Sequence, residues 1–427
     1  MLVIVASLLS LGGAAAYAGR NAVAVFPSLF NAPSPTYAAL APLVRVEGGV
    51  FALGCDVWRP VGFCSYTLLD AAAELPCGSW SASYEGTGRA MIVDTFAMAQ
   101  RLGINYIRMW AFSLASGYPL QIAPGVYDDT MFQALDFVLD QAGKHGIRVS
   151  LVLTDWWQHS GGVQEYVQWS HTALSSTDFF TDESCKRMYQ LHAVALITRV
   201  NSINGLLYRD DPAILGWELM NEPRCRGCAA EMQRWIEEMA AFVAHHDPFH
   251  LRTVGSEGFW SSSSESSEYA MYNPAAWAST NGQDFIINHA SPNVTHTTTH
   301  VWPGNWQSPF SLTSYFTGAT LRGWVEGHIL ASAALKRPLI LSEFGQSLAS
   351  FNPLPKASYF NLAWALVEDS VSRGHVLQGS SFWAVFPKET RQQTQRDGFS
   401  VFLDDPVLMP RLSGHAAALR RQQRKVC

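Results

Sequence analysis

The sequence predicts a (β/α)8 barrel, and three observations lead to that fold class. Short apolar runs of strand length alternate with longer segments of helical periodicity along most of the chain. Eight strand candidates can be counted, the number that closes a parallel barrel. Charged residues make up only 15% of the 427 residues, which indicates a large buried core. A doubly wound open sheet is the alternative, but no Gly-x-Gly-x-x-Gly and no phosphate loop opens any strand-to-helix turn.

The first 44 residues are expected to precede the barrel. Residues 1–18 join an apolar run to small residues ending in Ala16-Tyr17-Ala18, a pattern typical of a signal peptide cut after Ala18. An uncleaved signal anchor that tethers the protein to a membrane is the alternative. Residues 19–44, rich in Ala and Pro, are predicted to be an irregular lead-in, and residues 45–427 to form one domain. We therefore expect a secreted protein.

The predicted elements follow in barrel order. The segment from Val46 to Asp70 contains a hairpin-like pair and the run Pro60–Cys64, which is predicted to be the first barrel strand. The later strands are Ile104–Trp110, Arg148–Thr154, Ile214–Met220, Leu251–Glu257, His296–Trp302, Pro338–Glu343 and Ser380–Phe386. The helices are Arg89–Leu102, Thr130–His145, Ser184–Gly205, Ala229–His246, Asp284–His289, Ser314–Leu335, Lys356–Arg373 and Asp405–Arg421. Ser261–Glu268 and the segment around Asn273–Asn281 are expected to form a long loop after strand five, on the face that shapes a cleft.

Composition and motifs exclude several function classes. The net charge of −6 leaves no basic face, so nucleic acid and anionic membrane surfaces are poor partners and a neutral substrate fits better. No His-Glu-x-x-His occurs, and His245-His246 is expected to end a helix rather than bind a metal. No Gly-x-Ser-x-Gly marks a serine hydrolase. We expect a monomer without cofactor or metal.

Two glutamates stand at strand ends on opposite sides of the predicted barrel. The run from Ile214 to Pro223 is an apolar strand whose alternation would give Glu218 and Glu222 the same facing. Glu222 lies at the strand end, where barrels keep their chemistry, and Glu218 is the better partner for a buried cation. Glu343 ends the seventh strand, across the barrel mouth. A paired acid and carboxylate is the arrangement that glycoside hydrolysis needs.

Tryptophans recur at the predicted strand ends. A single Trp is more often a core residue. Seven at equivalent places favour a cleft with stacking platforms for sugar rings; they are Trp110, Trp156, Trp157, Trp260, Trp302, Trp306 and Trp383.

The run Trp-Glu-Leu-Met-Asn-Glu-Pro-Arg-Cys, which ends at Cys225, resembles the acid/base signature of glycoside hydrolase family 5. Its form is typical of the endo-β-1,4-mannanases of plants and fungi, and the resemblance spans roughly residues 45–403. It implies a retaining mechanism, with Glu222 as general acid/base and Glu343, in Ser-Glu-Phe-Gly, as nucleophile. The two carboxyl groups would then lie about 5–5.5 Å apart. Nearby cations or donors should lower the pKa of Glu343, and its charge should help keep Glu222 protonated.

The resemblance also implies roles for neighbouring residues. Arg108, in Arg-x-Trp-Ala-Phe-Ser, would hold Glu343 ionised and oriented. Asn221 would bond the 2-hydroxyl of the sugar, and His300 would contact the substrate or the acid/base. Trp383 would lie under the sugar ring at the cleavage point. Further candidates for substrate binding are Trp110, Arg224, Glu257, Trp302 and Trp306.

Two positions depart from the pattern of the family. Trp302 stands where plant and fungal members usually have a Tyr whose hydroxyl bonds the nucleophile. An indole N–H donates one hydrogen bond but cannot accept one, so the contact is expected to persist in altered form. Cys64 stands on strand one where many members have Asn.

Seven cysteines make an odd set, so at least one thiol stays free or pairs between chains. In an exported protein some should pair, and Cys225 and Cys228 are the nearest couple. A redox-active pair or half a zinc site is the alternative, but no second Cys-x-x-Cys completes a zinc set. A structural disulfide behind Glu222 is favoured, and similar fungal mannanases carry the same Arg-Cys-x-Gly-Cys spacing.

The sequence therefore predicts an exported retaining endoglycosidase that acts on β-1,4-mannan, glucomannan or galactomannan. The same machinery acting on another β-glucan, such as cellulose, is the first alternative. A carbohydrate-binding pseudoenzyme, permitted by the departures at Trp302 and Cys64, is the second.

Overall fold

The computed structural model describes residues 22–24, 42–75, 84–113, 118–158, 161–262, 265–306, 314–347, 354–394 and 398–427. The predicted signal peptide lies outside these residues. Within the lead-in that the sequence predicts to be irregular, Ala22–Ala24 forms a short strand that pairs antiparallel with Val126–Asp128. Val126–Asp128 also pairs with Gln121–Ala123, which makes a three-stranded sheet beside the barrel.

The centre of the molecule is an eight-stranded parallel sheet. Its strands are β1 (Val61–Ser65), β2 (Tyr106–Trp110), β3 (Arg148–Val152), β4 (Ile214–Glu218), β5 (Leu251–Thr253), β6 (Thr297–Val301), β7 (Leu339–Phe344) and β8 (Leu377–Phe382). They are hydrogen-bonded in the order β5-β4-β3-β2-β1-β8-β7-β6. Thr295 N donates to Arg252 O at 2.9 Å and His300 N to Glu257 O at 3.0 Å, so β5 and β6 also meet. The predicted (β/α)8 barrel is thereby confirmed.

Eight helices follow the eight strands. They are α1 (Gly88–Leu102), α2 (Asp129–Lys144), α3 (Glu183–Ile197), α4 (Ala229–His246), α5 (Phe285–Ala290), α6 (Ser314–Ala334), α7 (Lys356–Ser372) and α8 (Leu408–Arg421). Shorter helical segments are Leu68–Ala72, Val163–Ser170, Ser176–Phe180, Tyr208–Asp210, Glu265–Tyr272, Ala276–Thr280, Pro303–Trp306, Lys388–Thr390 and Arg391–Thr394. The helices cover the outer face of the sheet, so β2 and β4 are buried along their whole length.

Several predicted boundaries are wrong. α3 ends at Ile197 rather than at Gly205, because the backbone after it turns and Val200 pairs with Leu207 in an isolated antiparallel bridge. β5 ends early at Thr253, since Gly255 takes a left-handed φ of +90° that a strand does not allow. β8 begins at Leu377, three residues before the prediction, because Gln378 and Gly379 interrupt the apolar signal at its start. The predicted loop after strand five contains the helices Glu265–Tyr272 and Ala276–Thr280.

A small antiparallel sheet closes the end of the barrel opposite the carboxyl ends of the strands. It consists of Val44–Glu47, Val50–Leu53 and Asp56–Val57, and confirms the predicted hairpin. Phe51 packs with residues at the start of β2, β4, β5 and β7. Val57 N donates to Arg424 O at 3.0 Å, and a disulfide joins Cys55 to Cys427. The two ends of the domain are thus held together below the barrel.

Within the described ranges, no helix combines the length and the apolar character needed to cross a membrane.

Candidate active site

A cleft of about 670 Å³ opens at the carboxyl ends of the barrel strands. Glu222 and Glu343 both lie in it, as predicted. It is lined by Tyr66, Trp110, Trp157, Asn221, Glu222, Arg224, Trp277, Trp302, Asn305, Trp306, Glu343, Trp383 and Phe399. Aromatic rings thus surround a small number of polar groups, which is the composition expected of a site for sugar rings.

Glu222 reaches the cleft by a local twist of the backbone rather than by strand alternation. β4 ends at Glu218, and Glu222 has a left-handed φ of +50°, which is uncommon for a residue other than glycine. Its backbone N–H donates to Gly255 O at 2.8 Å, which fixes this conformation. Backbone strain of this kind concentrates at functional sites.

Each carboxylate oxygen of Glu222 has a ring nitrogen beside it. Trp157 Nε1 donates to Oε2 at 2.7 Å, and His300 Nδ1 lies 2.8 Å from Oε1. Burial, and then the charge of Arg108, hold the pKa of His300 well below its usual range. His300 is therefore neutral and can share one proton with Glu222. The expected contact between His300 and the acid/base candidate is present.

Glu343 receives one strong donor on each oxygen. Arg108 Nη1 donates to Oε2 at 2.8 Å, and Trp302 Nε1 donates to Oε1 at 2.9 Å. Glu343 is only 6% exposed, so both bonds are largely buried. The indole of Trp302 thus donates to Glu343, as the sequence predicts for this departure from the family.

The two carboxylates face each other at close range. One oxygen of Glu222, one oxygen of Glu343 and a ring nitrogen of His300 all lie within 4.8 Å of one another. In inverting glycosidases the carboxyl groups stand about 6.5–9.5 Å apart to leave room for a water. The separation here suits direct attack by one carboxylate on a bound sugar.

The expected direction of the Glu343 pKa is wrong. Burial, and then the charge of Glu222, raise the pKa of Glu343 well above its ordinary value, although Arg108 and the bond from Trp302 act in the opposite direction. The donors to Glu343 lower its pKa by less than the burial of two acids in one site raises it. Such a pair holds one proton between its members in the weakly acidic range.

Arg108 is the central cation of the site. It lies on β2, is fully buried, and does not line the cleft itself. Besides Glu343 it binds Glu218 through Nε at 3.0 Å and through a second short bond, and its Nη2 donates to Asn221 Oδ1 at 2.7 Å. Glu218 is therefore the buried partner of a cation, as predicted. The planar guanidinium fixes three side chains at once.

Asp155 anchors the base of this network and was not identified from the sequence. Its Oδ1 accepts from Asn221 Nδ2 at 2.9 Å and from the backbone N–H of Trp157 at 3.1 Å. Burial raises the pKa of Asp155 to about 8, so the acid is neutral in the acid range. Asp155 thereby orients Asn221 and Trp157 without adding charge. Its position three residues past β3 was the available signal.

Arg224 and Glu257 form a second cluster at the edge of the cleft. Arg224 Nε donates to Glu257 Oε1 at 2.8 Å, and Gln283 binds the other oxygen. Arg224 lines the cleft, but Glu257 is fully buried behind it. Glu257 is thus placed to act on a substrate only through Arg224. Burial, and then the charge of Glu222, raise the pKa of Glu257 to about 8.

The predicted tryptophans divide into two groups. Trp110, Trp157, Trp302, Trp306 and Trp383 line the cleft. Trp156 instead stacks on Phe180, and Trp260 packs against His328 in the core, because both lie on the side of the chain that faces the helices. The interpretation of these two as cleft residues is wrong.

Cleft residues missed by the sequence analysis lie on the connecting segments. Tyr66 stacks on Trp383 at 5.1 Å between ring centroids, and Phe399 packs edge-on against Trp302 at 5.3 Å. Trp277 and Asn305 are the others. An aromatic residue in a loop carries no periodicity that distinguishes cleft from core.

The structure joins Cys225 to Cys228 by a disulfide in the loop behind Glu222. Cys64 and Cys185 are buried free thiols. Cys64 pairs with Arg108 across β1 and β2, and burial raises its pKa to about 12. Cys64 is therefore a neutral group beside the ion-pair network.

Among the described residues, the one group of His, Cys, Asp and Glu donors spaced to hold a metal ion is Glu222, His300 and Glu343. These are the same side chains that the cleft would use on a sugar.

The sequence of this chain is similar to those of known proteins. The model of the glycoside hydrolase family 5 β-mannosidase-like family matches residues 44–408. Mannan endo-1,4-β-mannosidase 4 of Oryza sativa subsp. japonica is 35% identical over 395 residues, which cover 88% of this chain and 82% of the relative. Mannan endo-1,4-β-mannosidase 1 of Arabidopsis thaliana is 33% identical over 363 residues, 84% of each chain.

Solved structures show the same fold. The endo-β-1,4-mannanase of Thermotoga petrophila has a TM-score of 0.71 at 25% identity and covers 85% of this chain and 77% of its own. The endo-1,4-β-mannanase of Rhizomucor miehei has a TM-score of 0.73 at 23% identity, and the match covers 89% of this chain and 99% of that protein.

Proposed function

The chain belongs to the β-mannosidase-like group of glycoside hydrolase family 5, and we propose that it is a retaining endo-β-1,4-mannanase that cleaves internal linkages of mannan, glucomannan or galactomannan. Its relatives are named for this activity. The observation that carries the mechanism is the close approach of the Glu222 and Glu343 carboxylates within one aromatic cleft.

In the first step a Glu343 oxygen attacks the anomeric carbon of the sugar. The glycosidic C–O bond breaks, and the leaving oxygen takes the proton of Glu222. In the second step Glu222 accepts a proton from water, which attacks the same carbon and releases Glu343 as a carboxylate. Two displacements at one carbon retain its configuration.

The proton that the acid pair holds resides on Glu222 in the free enzyme. Glu343 accepts from the cation Arg108 and from Trp302, which together stabilise a negative charge. Glu222 faces one neutral indole donor and the neutral His300. The charge of Glu222, one of the two main causes that raise the pKa of Glu343, disappears once Glu222 carries the proton. The cation and the indole then favour the anion at Glu343 and leave Glu222 as the acid, which matches their proposed roles.

The acid/base position also divides the cleft. The leaving group must pass Glu222, so the residues around it, Trp157 and Arg224, are placed to bind the departing end of the chain. Trp383, whose ring stacks on Tyr66, lies on the other side and is placed to stack under the sugar that Glu343 attacks. Asn221 keeps one amide N–H beyond its bond to Asp155, and that group is available to the 2-hydroxyl.

The departures at Trp302 and Cys64 do not favour a pseudoenzyme. Trp302 still supplies a donor to Glu343, and Cys64 is neutral and leaves the ion pair of Arg108 in place. Both carboxylates and their donors are present.

We further propose that the protein is exported and acts as a monomer. The disulfides Cys55–Cys427 and Cys225–Cys228 suit an oxidising compartment, and a signal peptide in residues 1–18 would direct it there. An uncleaved anchor would instead leave the enzyme on the membrane fraction. Amino-terminal sequencing of medium and membranes separates the two, with a mature chain that starts after Ala18 supporting export.

The activity is tested by the release of reducing ends from β-mannan, glucomannan and carboxymethyl cellulose. We expect release from the first two, complete loss in Glu343→Gln, and near-complete loss in Glu222→Gln. Glu326→Gln, an exposed change on α6, is the matched control. Hydrolysis of carboxymethyl cellulose alone would favour a glucanase, and oligosaccharide binding without hydrolysis would favour a pseudoenzyme.

A further inference from the structure

The indole of Trp302 occupies a closely fitted site between β7 and the segment that follows β8. A Cβ placed on Gly345 would lie 2.9 Å from Trp302 Cη2, so glycine is required for the ring to reach this position. On another side the ring of Phe399 meets it edge-on, at 5.3 Å and 86°. The indole is therefore fixed in the orientation that directs its single N–H at Glu343 Oε1.

The backbone around Phe399 is held by one lysine. Lys356 Nζ donates to three successive carbonyl oxygens, Gly398 at 3.2 Å, Phe399 at 3.1 Å and Ser400 at 3.0 Å. An ammonium has three N–H donors. Lys356 is the first residue of α7 and does not line the cleft. Its contacts fix the segment that carries Phe399, and they offer no contact to a sugar.

We propose that Lys356 and Phe399 are positioning residues for Glu343, and that they act through Trp302. Lys356 fixes the backbone at Phe399, Phe399 and Gly345 confine the indole, and the indole N–H fixes one oxygen of Glu343. This inference rests on the proposed function, because it assumes that Glu343 is the nucleophile. The residues that orient Glu343 would then include Lys356, the first residue of α7, in addition to Arg108 in the barrel interior.

The test combines Lys356→Met with Trp302→Phe. Lys356→Met should lower kcat on mannan about tenfold with KM within about twofold, because a displaced donor misplaces the nucleophile. Weaker donation also raises the pKa of Glu343, so the acid limb of kcat should move to higher pH. In the Trp302→Phe background the same change should have no further effect on kcat or on that limb. Lys388→Met, a change of a partly exposed lysine that lies beside Glu389, should change neither.

An equal loss of kcat from Lys356→Met in both backgrounds would overturn the proposal, as would an unchanged acid limb. If Lys356→Met does not fold, Phe399→Ala in both backgrounds decides the same question. The indole Nε1–H resonance of Trp302, assigned by its absence in Trp302→Phe, gives a reading that needs no activity. It should move in Lys356→Met and stay in Lys388→Met; no movement in either contradicts the proposal. Failure of the wild-type protein to cleave mannan would refute the proposed function alone.

Discussion

Arg108 and Glu343 form an ion pair of 2.8 Å in which neither side chain is more than 7% exposed. Arg108 also binds Glu218 and Asn221, so one guanidinium orients the proposed nucleophile and its neighbour together. A lysine has a single charged nitrogen and cannot hold these three partners in one plane.

Arg108→Lys should therefore lower kcat by roughly two orders of magnitude, the size of effect typical for losing a preorganised charged donor. The measurement is steady-state hydrolysis of mannan. Arg45→Lys, an exposed arginine that pairs with Glu47, is the control and should keep full activity. Near wild-type kcat in Arg108→Lys would show that the ion pair does not orient Glu343.

The charge of Glu222 raises the pKa of Glu343, so its removal should have a visible effect on pH dependence. Glu222→Gln should retain some cleavage of an aryl β-mannoside whose leaving group needs no acid. The basic limb that the wild type shows on mannan should be absent from that reaction, because it reports the loss of the proton from Glu222. The acid limb should stay in place, since in the wild type Glu343 ionises while Glu222 is still protonated. A persistent basic limb, or an acid limb moved to lower pH, would contradict the assignment of the proton to Glu222.

Asp155 is expected to work as a neutral acceptor. Since its pKa is raised to about 8, Asp155→Asn should keep kcat within about threefold in weakly acidic buffer, because an amide oxygen can accept the same two bonds. In Asp155→Ala, kcat should fall at least about tenfold, since Asn221 and Trp157 lose the acceptor that orients them. Equal losses in both variants would mean that the charge of Asp155 is required.

Asp247 and His250 form a buried pair of 2.7 Å, away from the cleft, and Trp217 Nε1 also donates to Asp247. The pKa of Asp247 is lowered from 3.8 to about 2, so its contribution to stability is present above pH 3.8 and is lost as pH falls toward 2. The pKa of His250 is raised above 6.5, so its contribution is present below pH 6.5 and is lost as pH rises through the folded value.

Asp247→Asn should therefore lower the free energy of unfolding most between pH 3.8 and pH 6.5, by about 3 kcal/mol near pH 5, and by less at alkaline pH. Denaturant unfolding at both pH values measures the difference. Asp369→Asn, an exposed partner of Arg373, is the control. A cost that is independent of pH would exclude an ion pair at this place.

The disulfide between Cys55 and Cys427 spans 372 residues of sequence. Cys427→Ser should lower the free energy of unfolding by about 2–4 kcal/mol, because the closed loop restricts the unfolded chain. Reductant should destabilise the wild-type protein further than it destabilises this variant. The same response to reductant in both proteins would show that the bond does not form.

The fold could be predicted from the sequence because strands such as β4 and β7 are apolar runs that end at or next to a glutamate. The carboxylate pair followed from the same pattern. β8 was misplaced because its strand is built of small polar residues, which are buried only because the barrel surrounds them. Phe399 and Lys356 could not be identified, since their roles depend on contacts between segments far apart in the chain.

Double displacement through Glu343 is tested by trapping the covalent intermediate with a 2-deoxy-2-fluoro-mannosyl fluoride and mapping the labelled peptide by mass spectrometry. We expect one glycosyl unit esterified to Glu343, and no label in Glu343→Gln. A label on Glu222, or an unlabelled enzyme whose first product has inverted configuration, would show that Glu343 is not the nucleophile.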